Sequence, residues 1–178
     1  MKKNIFFISL ILILIVLLSA CGGGNLSLEG KWLQFETVDV DGNPVNSVDL
    51  FSQHEITMLN LWGTWCGPCI QELPELNKVN ERLAEMDGAV VGLLNDGRGG
   101  NDVELAKRYL SENGVEYLNI LSPENMDEAI THQSYYPMTL FVNRKGVVIG
   151  KTLLGTTAQK YMVDYYVGAA KEAIESWK

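Results

Sequence analysis

The chain has 178 residues, 47% of them apolar, and its formal net charge at pH 7 is −8. This length and apolar content suit a single globular domain built around one hydrophobic core. The negative charge argues against nucleic acid and anionic lipid as partners, because both would repel the protein. We therefore expect no nucleic-acid partner.

The first twenty residues have the composition of an export signal. Lys2 and Lys3 form a positive start, an apolar run follows from Ile5 to Leu18, and small residues precede Cys21. The run is short for a membrane-spanning helix, which needs about 20 residues, so a cleaved signal is favoured over an uncleaved anchor. Either alternative places the rest of the protein outside the cytoplasm and holds it at a membrane.

The border at Cys21 resembles the cleavage site of bacterial lipoproteins. That resemblance implies cleavage before Cys21 and lipidation of this cysteine. We therefore divide the chain into a lipoprotein signal peptide at 1–20, a lipidated flexible tether at 21–30 and one domain at 31–178. The glycine-rich residues 22–25 support the assignment of a tether.

Strand and helix patterns alternate along the domain. An N-terminal hairpin is predicted from a strand at 31–40, a turn at 41–44 and a second strand from Val45. Further strands are predicted at 56–62, 89–94, 115–121, 138–142 and 147–151. Helices are predicted from Cys66 to Leu83, at 103–113, within 123–133 and at 157–177, and the first of them is expected to kink at Pro74. A glycine-rich loop is predicted at 95–101.

This order predicts an α/β fold with a mixed central sheet flanked by helices. On the last helix, Tyr161, Tyr165, Ala169 and Ala173 share one face, and we interpret that face as packing surface.

The run from Trp65 to Cys69 contains two cysteines three residues apart at the start of a predicted helix. This spacing places both side chains on one face, close enough to form a disulfide. The partial positive charge of the helix N-terminus favours a thiolate at Cys66, and a thiolate is the form that attacks disulfides. Cys69 lies one turn further along, where we expect it to be better shielded and to resolve the mixed disulfide.

Two other interpretations of this cysteine pair fit the sequence less well. A zinc site needs three or four ligands, and the remaining Cys21, His54 and His132 lack ligand spacing, so neither metal nor other cofactor is expected. A permanent structural disulfide would close so small a loop that it would add little stability. Redox chemistry is therefore the favoured interpretation.

From about residue 31 to residue 177, the sequence resembles the TlpA/ResA-like group, the membrane-tethered extracytoplasmic members of the thioredoxin fold. The similarity rests on three motifs. They are Asn60-Leu61-Trp62-Gly63-Thr64-Trp65-Cys66-Gly67-Pro68-Cys69, then Glu72-Leu73-Pro74, and Tyr136-Pro137-Met138-Thr139-Leu140-Phe141. The resemblance implies a thioredoxin fold with an inserted strand and helix, for which 103–133 is the right size and place.

The resemblance also implies roles for particular residues. Pro137 is expected to follow a cis peptide bond facing the cysteines, where the backbone of Tyr136 would pair with an extended substrate segment. Glu72 is expected to relay protons near the sulfurs. Asn60 stands where cytosolic thioredoxins have a buried aspartate, and because an amide does not take up a proton at neutral pH, proton handling falls to Glu72.

Two tryptophans flank the site. We expect Trp65 to be partly exposed and to contact substrate, and Trp62 to be mainly structural. Gly67 and Pro68 resemble the insert of reducing thioredoxins. Together with Trp65, Tyr136 and Pro137, they make up the predicted substrate-binding surface.

The leading hypothesis is a lipid-anchored, monomeric thiol–disulfide oxidoreductase that reduces protein disulfides outside the cytoplasm. The substrates expected for such a protein are disulfides of apocytochrome c, of a methionine sulfoxide reductase or of a peroxidase. The resemblance implies a membrane thiol donor of the CcdA/DsbD kind. A disulfide-forming oxidase, a peroxiredoxin-like peroxidase and a copper-carrying module stay open as alternatives.

Overall fold

The computed structural model describes residues 27–96, 102–126, 128–131 and 134–178. The predicted signal, Cys21, most of the predicted tether, most of the predicted loop at 95–101 and His132 lie outside these residues. Twelve elements follow one another in the described chain. They are β1 (Glu36–Val38), β2 (Pro44–Asn46), α1 (Ser47–Ser52), β3 (Ile56–Trp62), α2 (Gly67–Ala84), β4 (Gly88–Leu94), α3 (Val103–Glu112), β5 (Asn119–Leu121), α4 (Glu128–Thr131), β6 (Met138–Asn143), β7 (Val148–Leu154) and α5 (Gln159–Trp177).

The central sheet has five strands in the order β5-β4-β3-β6-β7. Strands β3, β4 and β5 are parallel to one another, whereas β6 is antiparallel to β3 and β7 is antiparallel to β6. This mixed sheet confirms the predicted thioredoxin-type architecture. The elements α3, β5 and α4 lie between the two halves of the core, in the place predicted for the insertion.

Helices and the N-terminal segment cover both faces of the sheet, so every residue of β3 is buried. On one face, Leu59 and Leu61 pack with Phe51 of α1 and with the N-terminal segment. On the other face, Ile56 and Met58 pack with α2 and α5. Because β3 ends between these layers, the residues that follow it emerge at one edge of the sheet.

Helix α2 begins directly after that edge. Its apolar residues at spacings of three and four are fully buried, as predicted: Leu73, Leu76, Val79 and Leu83. Pro74 lies inside the helix, which continues past it to Ala84; the kink expected there stays a prediction.

The N-terminal hairpin is present, but its strands are shorter than predicted. The strand expected at 31–40 is reduced to β1, because the residues before it bind the start of β7 instead. Gly30 N donates to Val148 O, and Val148 N donates to Lys31 O, each at 2.8 Å. Leu28 is also buried in the core, so the folded part includes residues before 31.

Helix α1 was not predicted from the sequence. Asn46 begins it, because its side chain accepts a hydrogen bond from Val48 N at 2.8 Å. Leu50 and Phe51 are then buried under the sheet. The second strand of the hairpin is therefore confined to three residues. The strand predicted at 115–121 is likewise limited to β5, whereas β7 continues three residues beyond the predicted end.

The prediction that Tyr161 and Tyr165 lie on the packing face of the last helix was wrong. Tyr161 and Tyr165 are exposed. The buried face is displaced by one residue and comprises Met162, Tyr166, Val167, Ala170 and Ala173. Met162 and Tyr166 face the core because they pack in one apolar cluster with residues of β3 and α2. At Ala173, which belongs to both the predicted and the buried face, α5 approaches β7 so closely that a Cβ atom at Gly150 would lie only 2.6 Å from the Ala173 Cβ.

Within the described ranges, no helix combines the length and the apolar character needed to cross a membrane.

Candidate active site

Cys66 and Cys69 lie at the point where β3 gives way to α2, and they form a disulfide. Cys66 is the N-cap of α2, and its Sγ accepts a hydrogen bond from Cys69 N at 3.2 Å. Cys66 is 4% exposed and Cys69 is fully buried, which confirms the expected difference in shielding. The helix N-terminus is therefore directed at the Cys66 sulfur and favours a thiolate there after reduction.

The cysteines pack on an apolar cluster that includes Trp62 of β3, Leu73 of α2 and Ala106 of α3. Trp62 is fully buried, as expected for a structural residue, and its Nε1 donates to Asn119 Oδ1 at 3.0 Å. The cluster thus gives the disulfide a rigid base joined to the neighbouring strands.

Trp65 and Tyr136 form an aromatic surface next to the disulfide. Their ring centroids are 5.0 Å apart, in an edge-to-face arrangement. Trp65 is 59% exposed, which confirms the prediction of a partly exposed side chain. Tyr136 also packs on the cluster that contains the cysteines. Gly67 and Pro68 are exposed beside them.

The peptide bond between Tyr136 and Pro137 is cis, as the resemblance implied. Asn95 fixes the Tyr136 ring, because its Nδ2 donates to the Tyr136 hydroxyl at 2.8 Å and to Thr131 O at 2.7 Å. Gly155 N donates to Pro137 O at 2.8 Å. The segment before β6 is therefore held both by the end of β4 and by the loop before α5.

Asp96 holds the turn that leads into the cysteines. Its Oδ1 accepts from Thr64 N at 2.7 Å, and its Oδ2 accepts from Asp102 N at 2.8 Å. One carboxylate thereby connects the active-site turn to the start of α3.

Glu72 lies on the buried side of α2 and is 1% exposed. Its Oε1 accepts from Asn60 Nδ2 at 2.9 Å and its Oε2 from the Tyr166 hydroxyl at 3.2 Å. Burial raises the pKa of this carboxyl above its ordinary value, although hydrogen bonds from Asn60, Thr156 and Tyr166 act in the opposite direction.

The structure thus brings most predicted site residues to one edge of the sheet, with Asn60 and Trp62 directly beneath. Cys21 lies outside the described residues, and His54 is a partly exposed residue 3.5 Å from Asp87 Oδ1. In the ranges that the structure describes, no three His, Cys, Asp or Glu side chains are grouped as metal ligands.

Sequence reasoning assigned no role to several residues that shape this site. A Cβ atom at Gly63 would lie 2.8 Å from Trp65 Nε1, so the glycine makes room for the indole. Asn95 lies in the predicted loop at 95–101 and Tyr166 in the predicted last helix. No role in the active site was predicted for either residue. The glycine between two aromatic residues was the one signal in the sequence. The other two contacts depend on tertiary structure.

A family model described as Redoxin matches residues 28–164. The thiol-disulfide oxidoreductase ResA of Bacillus cereus is 24% identical over 183 residues, covering 93% of this chain and 96% of that protein. The protein of the same name from Bacillus subtilis is 26% identical over 131 residues, covering 74% of this chain and 69% of its own length.

Solved structures share the fold. A thiol:disulfide interchange protein of the thioredoxin family from Chlorobium tepidum superposes with a TM-score of 0.64 at 21% identity. The match covers 83% of this chain and 98% of that one.

Proposed function

The chain belongs to the Redoxin family, and on that premise we propose that it is a thiol–disulfide oxidoreductase that reduces protein disulfides with Cys66 and Cys69. The observation that carries the proposal is the position of Cys66 at the N-cap of α2, bonded to a fully buried Cys69. A sulfur in this position is stabilised as a thiolate and has its resolving partner already in reach.

The reaction begins with the reduced pair. The Cys66 thiolate attacks one sulfur of the substrate disulfide, forming a new S–S bond, and the other substrate sulfur leaves as a thiolate and takes up a proton. Cys69 then gives its thiol proton to the Glu72 carboxylate and attacks Cys66 Sγ. The Cys66–Cys69 bond forms, the second substrate sulfur leaves and is protonated, and two electrons have passed to the substrate.

Substrate binds, in this proposal, on the exposed surface formed by Trp65, Gly67, Pro68, Tyr136 and Pro137. The Trp65 and Tyr136 rings offer apolar area beside Cys66, and an extended substrate segment would lie along the backbone of Tyr136. This arrangement leaves Cys66 as the sulfur that meets the substrate first, since Cys69 is fully buried.

A trapping experiment tests the chemistry. The Cys69→Ser variant, mixed with a disulfide-containing protein, should accumulate a covalent adduct at Cys66 that dithiothreitol releases, as seen by mass spectrometry. Cys66→Ser is the matched control and should form none. Adducts on both variants, or on neither, would contradict the assigned order of attack.

The direction of electron flow is tested by the reduction potential of the Cys66–Cys69 pair. A value near that of thioredoxin, about −270 mV, supports a reductant that needs an electron supply. A value near that of DsbA, about −120 mV, would instead make the protein a disulfide-forming oxidase.

We further propose that the protein acts outside the cytoplasm, anchored by lipid at Cys21 and supplied by a membrane thiol donor of the CcdA/DsbD kind. The signal-like composition of residues 1–20 and the following glycines support this placement. Labelling with an alkyne fatty acid should mark the wild-type protein in the membrane fraction. Cys21→Ala should be unlabelled, and equal labelling of both would refute the anchor.

A further inference from the structure

The carboxyl of Glu72 belongs to a ring of four buried polar side chains that three hydrogen bonds join. Asn60 Nδ2 donates to Glu72 Oε1 at 2.9 Å and to Thr139 Oγ1 at 3.2 Å. The Tyr166 hydroxyl donates to Glu72 Oε2 at 3.2 Å, and the Thr139 hydroxyl lies near that of Tyr166 and lowers its pKa. All four residues are buried, and they come from α2, β3, β6 and α5.

The donors in this ring are not equivalent. The Asn60 amide nitrogen carries two hydrogens and accepts none, and here both are used, so Glu72 Oε1 always faces a donor. A proton added to the carboxyl therefore belongs on Oε2, facing Tyr166. Hydroxyls, in contrast, both donate and accept, so Thr139 and Tyr166 can exchange these roles.

Two hydrogen-bond patterns follow from this difference. With Glu72 ionised, Thr139 donates to Tyr166 and Tyr166 donates to Oε2. With Oε2 protonated, Glu72 donates to the Tyr166 oxygen and Tyr166 donates to Thr139. The carboxyl thus keeps a partner on Oε2 in both protonation states, without any movement of the backbone.

We propose that Tyr166 is a positioning residue: its hydroxyl, supported by Thr139, holds Oε2 of Glu72 and reverses its hydrogen bond when the carboxyl takes up a proton. The importance of this reversal for turnover rests on the proposed function, in which Glu72 accepts the proton of Cys69.

A second buried tyrosine near the Glu72 carboxyl provides a control for substitution of Tyr166. The titratable side chains that face it are the phenols of Tyr166, from α5, and of Tyr117, from the segment before β5. Asn60, Thr139 and Thr156 face it as neutral groups. Burial and the nearby Glu72 raise the pKa of both tyrosines, so both stay protonated.

Tyr117 differs from Tyr166 in one respect. Its buried hydroxyl has no hydrogen-bond partner within the described residues, whereas that of Tyr166 binds Glu72. Tyr166→Phe and Tyr117→Phe therefore remove the same atom from two buried phenols near one carboxyl, and only the first removes a hydrogen bond to it.

The test is an infrared titration of the oxidised full-length protein, in which the disulfide prevents both cysteines from titrating. Subtraction of the Glu72→Gln spectrum assigns the carbonyl band of protonated Glu72. At the pH where wild-type Glu72 is half protonated, Tyr166→Phe should raise the ratio of protonated to ionised carboxyl about tenfold, because the ionised form loses a stronger, charge-assisted hydrogen bond than the protonated form loses. Tyr117→Phe should leave this ratio within about twofold of wild type.

An unchanged ratio in Tyr166→Phe, or an equal change in both variants, would overturn the proposal. Should Tyr166→Phe fail to fold, Thr139→Val removes the hydroxyl behind Tyr166 and should raise the same ratio several-fold; no change there would equally overturn it. The titration needs no turnover, so an inactive protein that shows the expected shift refutes the proposed function and leaves the hydrogen-bond assignment standing.

Activity supplies a second readout. In the wild-type protein, disulfide reduction should fall as pH decreases through the titration of Glu72. In Tyr166→Phe, this acid limb should lie at higher pH, while the rate on the alkaline plateau is retained. A merely structural role for Tyr166 would lower the rate equally at every pH.

Discussion

The indole of Trp65 meets the ring of Tyr136 edge to face, with the ring centroids 5.0 Å apart. The contact joins the turn before α2 to the segment before β6, and Asn95 fixes its far side by donating to the Tyr136 hydroxyl. The aromatic surface beside Cys66 is therefore arranged before a substrate arrives, which lowers the entropy lost on binding.

Removal of the indole should weaken substrate binding more than it slows chemistry. For Trp65→Ala we expect the KM for a protein disulfide to rise about tenfold, with kcat changed little, because the aromatic contact with the bound substrate is lost. Steady-state kinetics provide the measurement. Trp32→Ala removes another exposed indole, from the N-terminal segment beside Val147, and should leave KM unchanged; equal effects of the two substitutions would argue against a specific surface.

Gly63 should determine the position of the Trp65 indole in this aromatic surface. In Gly63→Ala the new Cβ would lie 2.8 Å from Trp65 Nε1 and 3.1 Å from Asn95 O, so the exposed indole must move. We expect altered Trp65 fluorescence and a KM increase of about threefold to tenfold.

The matched control for Gly63→Ala is Gly168→Ala in α5, where a Cβ atom has open space. This substitution should leave KM unchanged and stabilise the protein by about 1 kcal/mol, because alanine favours a helix over glycine. A KM unchanged in both variants would show that Gly63 does not position Trp65.

Glu72 should lower stability at neutral pH. Its pKa is raised by burial in the folded state, so the folded protein binds the proton more tightly than the unfolded chain does. Stability is therefore highest below the pKa of the unfolded chain and decreases as pH rises through the folded pKa. Thermal unfolding of oxidised Glu72→Gln should show a higher Tm than wild type at neutral pH, with the difference vanishing in acid.

Glu81→Gln, which alters an exposed carboxyl on the same helix, is the control for that experiment. It should show no comparable gain in Tm. A Glu72→Gln variant whose Tm is lower than that of wild type at neutral pH would mean that hydrogen bonds to the carboxylate outweigh its burial.

The base of the site depends on a glycine in the neighbouring strand. At Gly92 a Cβ atom would overlap the side-chain amide of Asn119, which accepts from Trp62 Nε1. We expect Gly92→Ala to destabilise the protein by about 2–4 kcal/mol, because the displaced amide leaves the buried indole N–H unpaired.

Urea unfolding of Gly92→Ala, Asn119→Ala and the double variant measures this coupling. Since the second substitution makes room for the first, the double variant should be less destabilised than the sum of the two. Additive losses would contradict a steric cause.

Predictions from the sequence were most accurate for elements whose pattern of buried residues can be recognised from neighbouring residues alone. The strand at β3 and the helix behind the cysteines were predicted correctly, since continuous apolar runs and spacings of three and four depend only on neighbouring residues. Helix α1 was missed because its signal is a short cap at Asn46. The face of α5 was misassigned because Tyr165 and Tyr166 are adjacent aromatic residues, and only packing against β3 and α2 selects Tyr166 for burial.

In the active site, too, features that depend on neighbouring residues were predicted, and features that depend on tertiary contacts were not. The pairing of Cys66 with Cys69 at the start of α2 was predicted from their spacing, and the resemblance supplied the cis bond before Pro137. The partners of Glu72 did not follow, because Asn60 is 12 residues away in sequence and Tyr166 is 94 residues away. Only the packing of α2 between β3 and α5 brings these groups together.

The amide of Cys69 donates to the sulfur of Cys66, so one backbone proton senses the charge on the reactive atom. That sulfur is neutral in the disulfide and in a mixed disulfide, and negative in the thiolate. The amide resonance of Cys69 in a ¹⁵N-correlated NMR spectrum consequently reports the state of the site without any added probe. The charge on the Cys66 sulfur can therefore be followed at this one amide while the protein reacts with a disulfide-containing partner.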